Sequence, residues 1–128
     1  MSQPIVVVRL VRLPQDRAFT VFTRDIGRWW VRRPTPWGSQ GLLHLECRAG
    51  GEVREGDALV GQVMHFEVGL LLVFTLHGSQ VEIRFEDAPT GTRITLTHRD
   101  WEGWTGALSA QAFFDIVSVF WADALSRV

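Results

Sequence analysis

The stretch VEIRFEDAPTGTRITLTH, residues 81–98, alternates apolar and polar side chains on both sides of a turn. The apolar positions are Val81, Ile83, Phe85, Ile94 and Leu96. The polar positions between them are Glu82, Arg84, Glu86, Thr95 and Thr97. A period of two residues is typical of a strand with one buried and one solvated face. The stretch therefore predicts two antiparallel strands whose outward face is solvated.

The segment before it, from residue 41, repeats short β-like runs separated by turn signals. The runs are LLHLEC, EVRE, LVGQVMHFE and LLLVFTL. The turn signals are AGG at 49–51, EGD at 55–57, Gly69 and HGSQ at 77–80. Turn signals spaced roughly 6 to 12 residues apart are typical of consecutive antiparallel strands. Together with the first stretch, they predict a six-stranded meander.

The N-terminal segment predicts one more strand and two short helices. PIVVVRLVRL, residues 4–13, is dense in β-branched residues and predicts a strand. Residues 14–23 predict a helix that begins with a proline and is apolar on one face. The residues of that face are Ala18, Val21 and Phe22. A second helix is predicted over residues 25–31, before two prolines.

The C-terminal segment carries apolar side chains at helical spacing. They are Phe113, Phe114, Val117, Phe120, Trp121, Ala124 and Leu125. A helix over residues 104–127 would be on the order of 36 Å long, and seven strands spaced about 4.8 Å apart give a sheet of comparable width. We therefore expect this helix to lie across the concave face of the sheet, with the N-terminal strand beside the last strand.

Composition limits the class of protein. A chain of 128 residues predicts one domain over residues 1–128. The net charge of −1 gives no global attraction to nucleic acid or anionic lipid. No apolar run approaches the roughly 18–20 residues that span a bilayer, and the N-terminus lacks the pattern of a signal peptide. The single cysteine, Cys47, is expected to be buried or half-buried. We expect a cytoplasmic protein that binds neither nucleic acid nor membrane.

Several segments resemble, in order, the family called activator-of-heat-shock-protein-ATPase homologues, within the START-like (SRPBCC) superfamily. RLVRLPQDRAFTVFTRDIGRWW, residues 9–30, resembles its opening, where a strand and a proline lead into an aromatic-rich helix and a Trp-Trp pair. AGGEV, residues 49–53, resembles its Gly-Gly turn, and GQVMHFE with LLLVFTL its central hairpin. TGTRITLTHRDW, followed by GWTGAL, resembles its closing strand and the start of its last helix. The resemblance covers nearly the whole chain.

The resemblance implies an α+β helix-grip fold, in which a seven-stranded antiparallel sheet grips a long C-terminal helix and two short helices follow the first strand. It also implies a cavity between the curved sheet and the long helix, whereas periodicity shows only the two apolar surfaces. The chain departs from the family in its short loop after THRDW and in its more aromatic last helix. Most bacterial members look like stand-alone small-molecule carriers or proteins without a settled role.

The segment DIGRWWVRRPTPW, residues 25–37, is expected at the mouth of that cavity. Trp29 and Trp30 are adjacent and project about 100° apart, so one packs inside and the other lies at the rim with Trp37. Arginines that repeat every four residues form a basic edge, namely Arg24, Arg28 and Arg32. This edge is either a solvated face paired with carboxylates or, through Arg28 and Arg32, a contact for a ligand's carboxylate or phosphate.

The predicted cavity-lining side chains come from the sheet, the last helix and the Trp-Trp pair. They are Trp30, Phe66, Phe74, Leu96, His98, Phe113, Val117 and Trp121. His98 continues the inward register of Leu96, so it is either a polar group that orients a ligand or a histidine hydrogen-bonded near the strand end. The assignment of Phe66 depends on its strand, because a bulge at Gly61 would reverse the alternation.

The sequence offers little for catalysis or metal binding. The four histidines lack the local spacing of zinc ligands, and no nucleophile elbow, phosphate-binding loop or dinucleotide fingerprint occurs. We expect no catalytic residues, no metal and no cofactor.

Three functions remain, led by the non-enzymatic binding of an apolar or aromatic small molecule. A polyketide cyclase/aromatase-like enzyme would need polar groups deep in the cavity, such as His98 with His44 or His65. A co-chaperone-like interaction domain would need an exposed sticky sheet face. The ligand's identity and a homodimer are left open.

Overall fold

The computed structural model describes residues 3–24, 26, 43–104 and 109–126. The strands are β1 (Ile5–Val11), β2 (Leu43–Leu45), β3 (Glu52–Glu55), β4 (Ala58–Glu67), β5 (Leu71–Leu76), β6 (Ser79–Ala88) and β7 (Gly91–Arg99). The helices are α1 (Gln15–Thr23), a 3₁₀ turn (Glu102–Trp104) and α2 (Ala110–Leu125). The strands form one curled antiparallel sheet in the order β1-β7-β6-β5-β4-β3-β2.

The sheet is a meander closed by its first strand. β2 to β6 each pair with the next strand in sequence, and β1 pairs with β7 from Ile5 opposite His98 to Val11 opposite Thr92. This confirms the predicted antiparallel sheet, with the N-terminal strand beside the last strand. The β5–β6 turn consists of His77 and Gly78, both at positive φ, which is the backbone of a two-residue hairpin whose twist matches the strands.

One face of the sheet carries the core. α1 covers one end of this inner face, where Phe19 meets Phe66 and Phe85 edge-on at ring distances of 5.2 and 5.1 Å. α2 contributes the other large group of buried side chains, which join the same cluster as the inner rows of the strands. Each large apolar side chain buried there stabilises the fold by roughly 1.5–3 kcal/mol.

The two helices differ in detail from the sequence predictions. α2 begins at Ala110, not near residue 104, because Ser109 caps it by accepting a hydrogen bond from the Ala112 amide. At 16 residues it is about 24 Å long rather than 36 Å. In α1 the buried row contains Phe19 in place of Val21. The second predicted helix, residues 25–31, lies outside the described residues except for Ile26, which is buried.

The outer face of the sheet is mixed. Glu82, Arg84, Glu86 and Thr95 are at least partly exposed there, as predicted. Thr97 is only 7% exposed, because Val6 flanks it on one side and Glu82 on the other. The outward positions of β1 form an exposed apolar row that its sequence does not reveal, since nearly all of β1 is apolar. They are Val6, Val8 and Leu10.

Candidate functional site

Six of the predicted cavity-lining residues lie together on the inner face. They are Phe74, Leu96, His98, Phe113, Val117 and Trp121, and all six are fully or almost fully buried. Phe113 also stacks on Trp101 at a ring distance of 5.2 Å. Trp101 is a core residue that the sequence patterns did not single out. Its indole N–H donates to the Gln3 carbonyl, which ties the end of β7 to the start of β1.

Phe66 lies at the other end of the inner face, beside α1. Its strand, β4, contains a bulge, but Phe66 still faces inward. The β4–β5 register shifts between Val63 and His65, so Met64 is an extra residue and Phe66 again pairs with the buried Leu72. Phe66 therefore faces inward, as the sequence predicted. The sequence did not predict that Phe66 would lie apart from the group around His98.

A recess of about 230 Å³ opens beside Phe66. Its lining comes from α1, the β4–β5 hairpin and the segment after β2, and consists of Phe19, Thr20, Thr23, Arg24, Cys47, Phe66 and Val68. The walls are largely apolar, and the exposed Arg24 supplies the cationic group at the end of α1. Cys47 is exposed rather than buried, because it lies beyond the last paired residue of β2.

His98 sits in a chain of hydrogen bonds. Trp121 donates from its indole nitrogen to Nδ1 of His98 at 3.1 Å. Because Nδ1 accepts, Nε2 carries the proton and donates to the Ser79 hydroxyl at 2.9 Å. That hydroxyl donates in turn to the Leu76 carbonyl at 2.7 Å. Burial lowers the pKa of His98 from 6.5 to about 4, so the ring is neutral at physiological pH.

Both ring nitrogens of His98 thus have protein partners. A ligand would reach either nitrogen only by displacing Ser79 or Trp121. This geometry matches the hydrogen-bonded histidine that the sequence left open as the alternative.

Glu55 and His77 form a polar pair that sequence reasoning missed. Glu55 shares the inner face of β3 with Val53, and its side chain is only 3% exposed. His77 Nε2 lies 2.5 Å from Glu55 Oε1, whereas Oε2 is buried with no hydrogen-bond partner among the described residues. The His77 amide donates to the Val60 carbonyl, which anchors the turn. Such a pair can hold and orient a proton. In the sequence, only the alternation of EVRE indicates that Glu55 shares a strand face with Val53.

The other polar candidates face away from the interior. His44 and His65 are exposed, and His65 lies 3.2 Å from Glu67 on the same strand. They therefore do not supply the deep polar groups that the enzyme alternative would need. Within the described ranges no three metal-ligating side chains come together. No helix in that part of the chain is long and apolar enough to cross a membrane.

The described residues do not include the predicted rim of the cavity. Trp30, Trp37, Arg28 and Arg32 all lie outside the described residues. Of the basic edge, only Arg24 is described.

Comparisons with known proteins place the fold. No protein-family model matches the sequence, and no curated protein matches it. The chain is similar to the solution structure of protein BH1534 from Bacillus halodurans, with 18% identity over 98% of this chain and 93% of that chain and a TM-score of 0.74. Protein SSP2350 from Staphylococcus saprophyticus has 21% identity over 97% and 87%, with a TM-score of 0.70. Protein MLL2253 from Mesorhizobium loti has 15% identity over 98% and 93%, with a TM-score of 0.71.

The fold is shared with these bacterial proteins. At such identities the likeness extends to the fold alone, a curled antiparallel sheet with a C-terminal helix, which is consistent with the helix-grip plan.

Proposed function

We propose that this protein is a START-like domain of the kind named for activator-of-heat-shock-protein-ATPase homologues. We further propose that it binds an apolar or aromatic small molecule without catalysing a reaction. The site we propose is the recess beside α1 rather than the expected cavity between the sheet and the C-terminal helix, because six of the side chains expected to line that cavity are buried. The segments that carry the resemblance support the first part. AGGEV requires its glycines, because Gly50 has a φ of +81° and a Cβ on Gly51 would lie 2.7 Å from the Glu46 carbonyl oxygen. GQVMHFE and LLLVFTL supply most of the β4–β5 hairpin.

The recess beside α1 carries the binding proposal. An apolar cavity of roughly 150 Å³ is large enough to bind benzene, so about 230 Å³ suits a somewhat larger aromatic molecule. Phe19 and Phe66 give it aromatic walls, and their edge-on contact holds both rings in place. Arg24 suits an anionic substituent on the ligand, with Arg28 and Arg32 as further contacts in this proposal.

Native mass spectrometry of freshly purified protein tests for a co-purified ligand, and titration with 2-methoxynaphthalene tests for the site. Thr20 is exposed on α1 and lines the recess, so Thr20→Trp should fill the space and weaken binding at least tenfold. Arg17→Trp adds the same ring to an exposed position on α1 outside the recess and should leave binding unchanged. Wild-type protein that binds neither this probe nor any other apolar ligand in a broad thermal-shift screen would refute the proposal.

A further inference from the structure

A shallow groove of about 530 Å³ runs along the end of β1. It is lined by the consecutive residues Arg9, Leu10, Val11, Arg12 and Leu13. Among the described strands, β1 pairs only with β7, so its other side is a free edge of the sheet. The groove shares no residue with the recess beside α1, and the two are therefore separate sites.

Arg9 occupies an unusual position in this groove. Along β1 the residues Ile5 and Val11 are buried and Val7 is half-buried, and Arg9 falls in the same inward row. An apolar residue is the expected occupant of such a position. A charge there loses part of its hydration, and this costs free energy unless the charge is satisfied by a partner.

The described protein residues do not satisfy it. The Nε of Arg9 is buried and has no hydrogen-bond partner among them. The carboxylates that pair with arginine in the described part of the chain contact Arg48, Arg54, Arg84 and Arg93 instead. Among the described residues, the groove is thus lined by two arginines and no carboxylate, and one of these arginines has a buried N–H without a hydrogen-bond partner.

We propose that Arg9 and Arg12 bind a soluble oxyanion in this groove, through the carboxylate or phosphate group of a small molecule. The guanidinium fork matches both groups in geometry and charge. Arg9 is half-buried in the inward row of β1 and also lines the groove, so its side chain lies at the boundary between core and solvent, where long cationic side chains are common. The ligand proposed for the recess is held mainly by apolar and aromatic walls, whereas this ligand is recognised mainly by its charge.

Asp87 limits the strength of the site. It lines the adjoining groove of about 690 Å³, which shares Arg12 and Leu13 with the first. Its negative charge near Arg12 disfavours an anion and favours an approach from the Arg9 side.

Titration with inorganic phosphate and with succinate, at ionic strength held constant with sodium chloride, tests the proposal. Amide NMR shifts should saturate and should concentrate at residues 9–13. Arg9→Met keeps the packed stem and removes the charge, and Arg12→Met does the same on the exposed side. Each should weaken binding at least tenfold, whereas Asp87→Asn should strengthen it several-fold. Arg17→Met removes the same charge from an exposed position on α1 outside the groove and should change nothing.

Saturable binding of either anion with this pattern supports the site. The anion that binds more tightly shows whether the site prefers a phosphate or a carboxylate group. Shifts that fail to saturate, or that are spread over arginines elsewhere, overturn it. An equal loss in Arg17→Met and Arg12→Met also overturns it, because general surface charge would then explain the binding. If Arg9→Met does not fold, the titration of the wild-type protein still tests the site, because saturating shifts at residues 9–13 are required in either case. Since the recess probe is uncharged, this site and the proposed function can fail independently.

Discussion

At the scale of single residues, the interior tolerates a histidine because its surroundings fix one neutral tautomer. Trp121 can only donate, so it holds Nδ1 of His98 as an acceptor. Nε2 of His98 then carries the proton and donates a hydrogen bond to the Ser79 hydroxyl, which in turn donates a hydrogen bond to the Leu76 carbonyl. Protonation of His98 would place two donors face to face and would bury a charge.

The pKa of His98 predicts how stability depends on pH. Above pH 6.5 the ring is neutral in both the folded and the unfolded protein, so stability is fully present. As the pH falls from 6.5 to about 4, only the unfolded chain takes up this proton, and stability falls. At about 1.4 kcal/mol per pH unit, the loss from this residue is roughly 3 kcal/mol. NMR titration of the His98 ring checks the midpoint, and a midpoint above 6 would contradict it.

The contribution of the Trp121–His98 hydrogen bond to stability can be measured by comparison with the Trp101–Gln3 hydrogen bond. Trp121→Phe leaves a buried imidazole nitrogen without its donor, whereas Trp101→Phe frees the carbonyl of Gln3, an exposed residue that water can reach. Both changes remove the same atoms. We expect Trp121→Phe to cost about 1–2 kcal/mol more in urea unfolding, the usual penalty for an unsatisfied buried polar group. Equal losses would mean that the Trp121–His98 bond adds nothing to stability.

At the scale of elements, β4 is the least regular strand and depends on a glycine. It has irregular register with both neighbours, and at Gly61 it approaches the backbone of β5 closely. A Cβ on Gly61 would lie 1.8 Å from the Thr75 carbonyl oxygen. Thr75 is also held there by its own hydroxyl, which accepts from the Gln62 amide.

Gly61→Ala should therefore force β4 and β5 apart. Overpacking of this kind costs about 3 kcal/mol, because a backbone carbonyl within a strand cannot rotate away. Gly103→Ala is the control, since a Cβ there meets nothing within 4 Å. The free energies of unfolding of the two variants, measured by heat and urea, should differ by most of that amount. A Gly61→Ala variant as stable as Gly103→Ala would show that β4 has room to shift.

The strands could be predicted because a period of two is a local property of the sequence. EVRE became β3 with the predicted bounds, and each predicted run of the meander became a strand. The start of α2 was predicted too early, although Ser109 before the apolar run is a typical N-cap signal that marks the observed start. The Glu55–His77 pair could not be predicted, since it joins residues 22 apart in sequence and places a carboxylate where residue preferences expect an apolar group. Arg9 was missed because alternation cannot be read in an almost wholly apolar strand.

At the scale of the whole molecule, charge is low and dispersed. The chain carries 13 basic and 14 acidic residues, and most described ion pairs join neighbours on the sheet surface. The Arg9–Arg12 groove is large enough for one small anion. It is far from the continuous basic surface that a nucleic-acid backbone needs.

Duplex DNA should accordingly bind no more tightly than micromolar at physiological salt. Few phosphates can be neutralised at once, so few counterions would be released. Fluorescence anisotropy with a labelled duplex at several salt concentrations measures this. Nanomolar binding with a steep salt dependence would contradict it.

The pairing of β1 with β7 has a kinetic consequence. Every other pair of described strands joins neighbours in sequence and closes only a short loop, whereas Ile5 pairs with His98, about three-quarters of the chain away. Closing that loop costs more entropy than closing any hairpin of the meander. The hairpins of β2 to β7 should therefore form early, and β1 should dock after the folding barrier has been crossed. Substitutions in β1 would then speed unfolding and leave the folding rate almost unchanged.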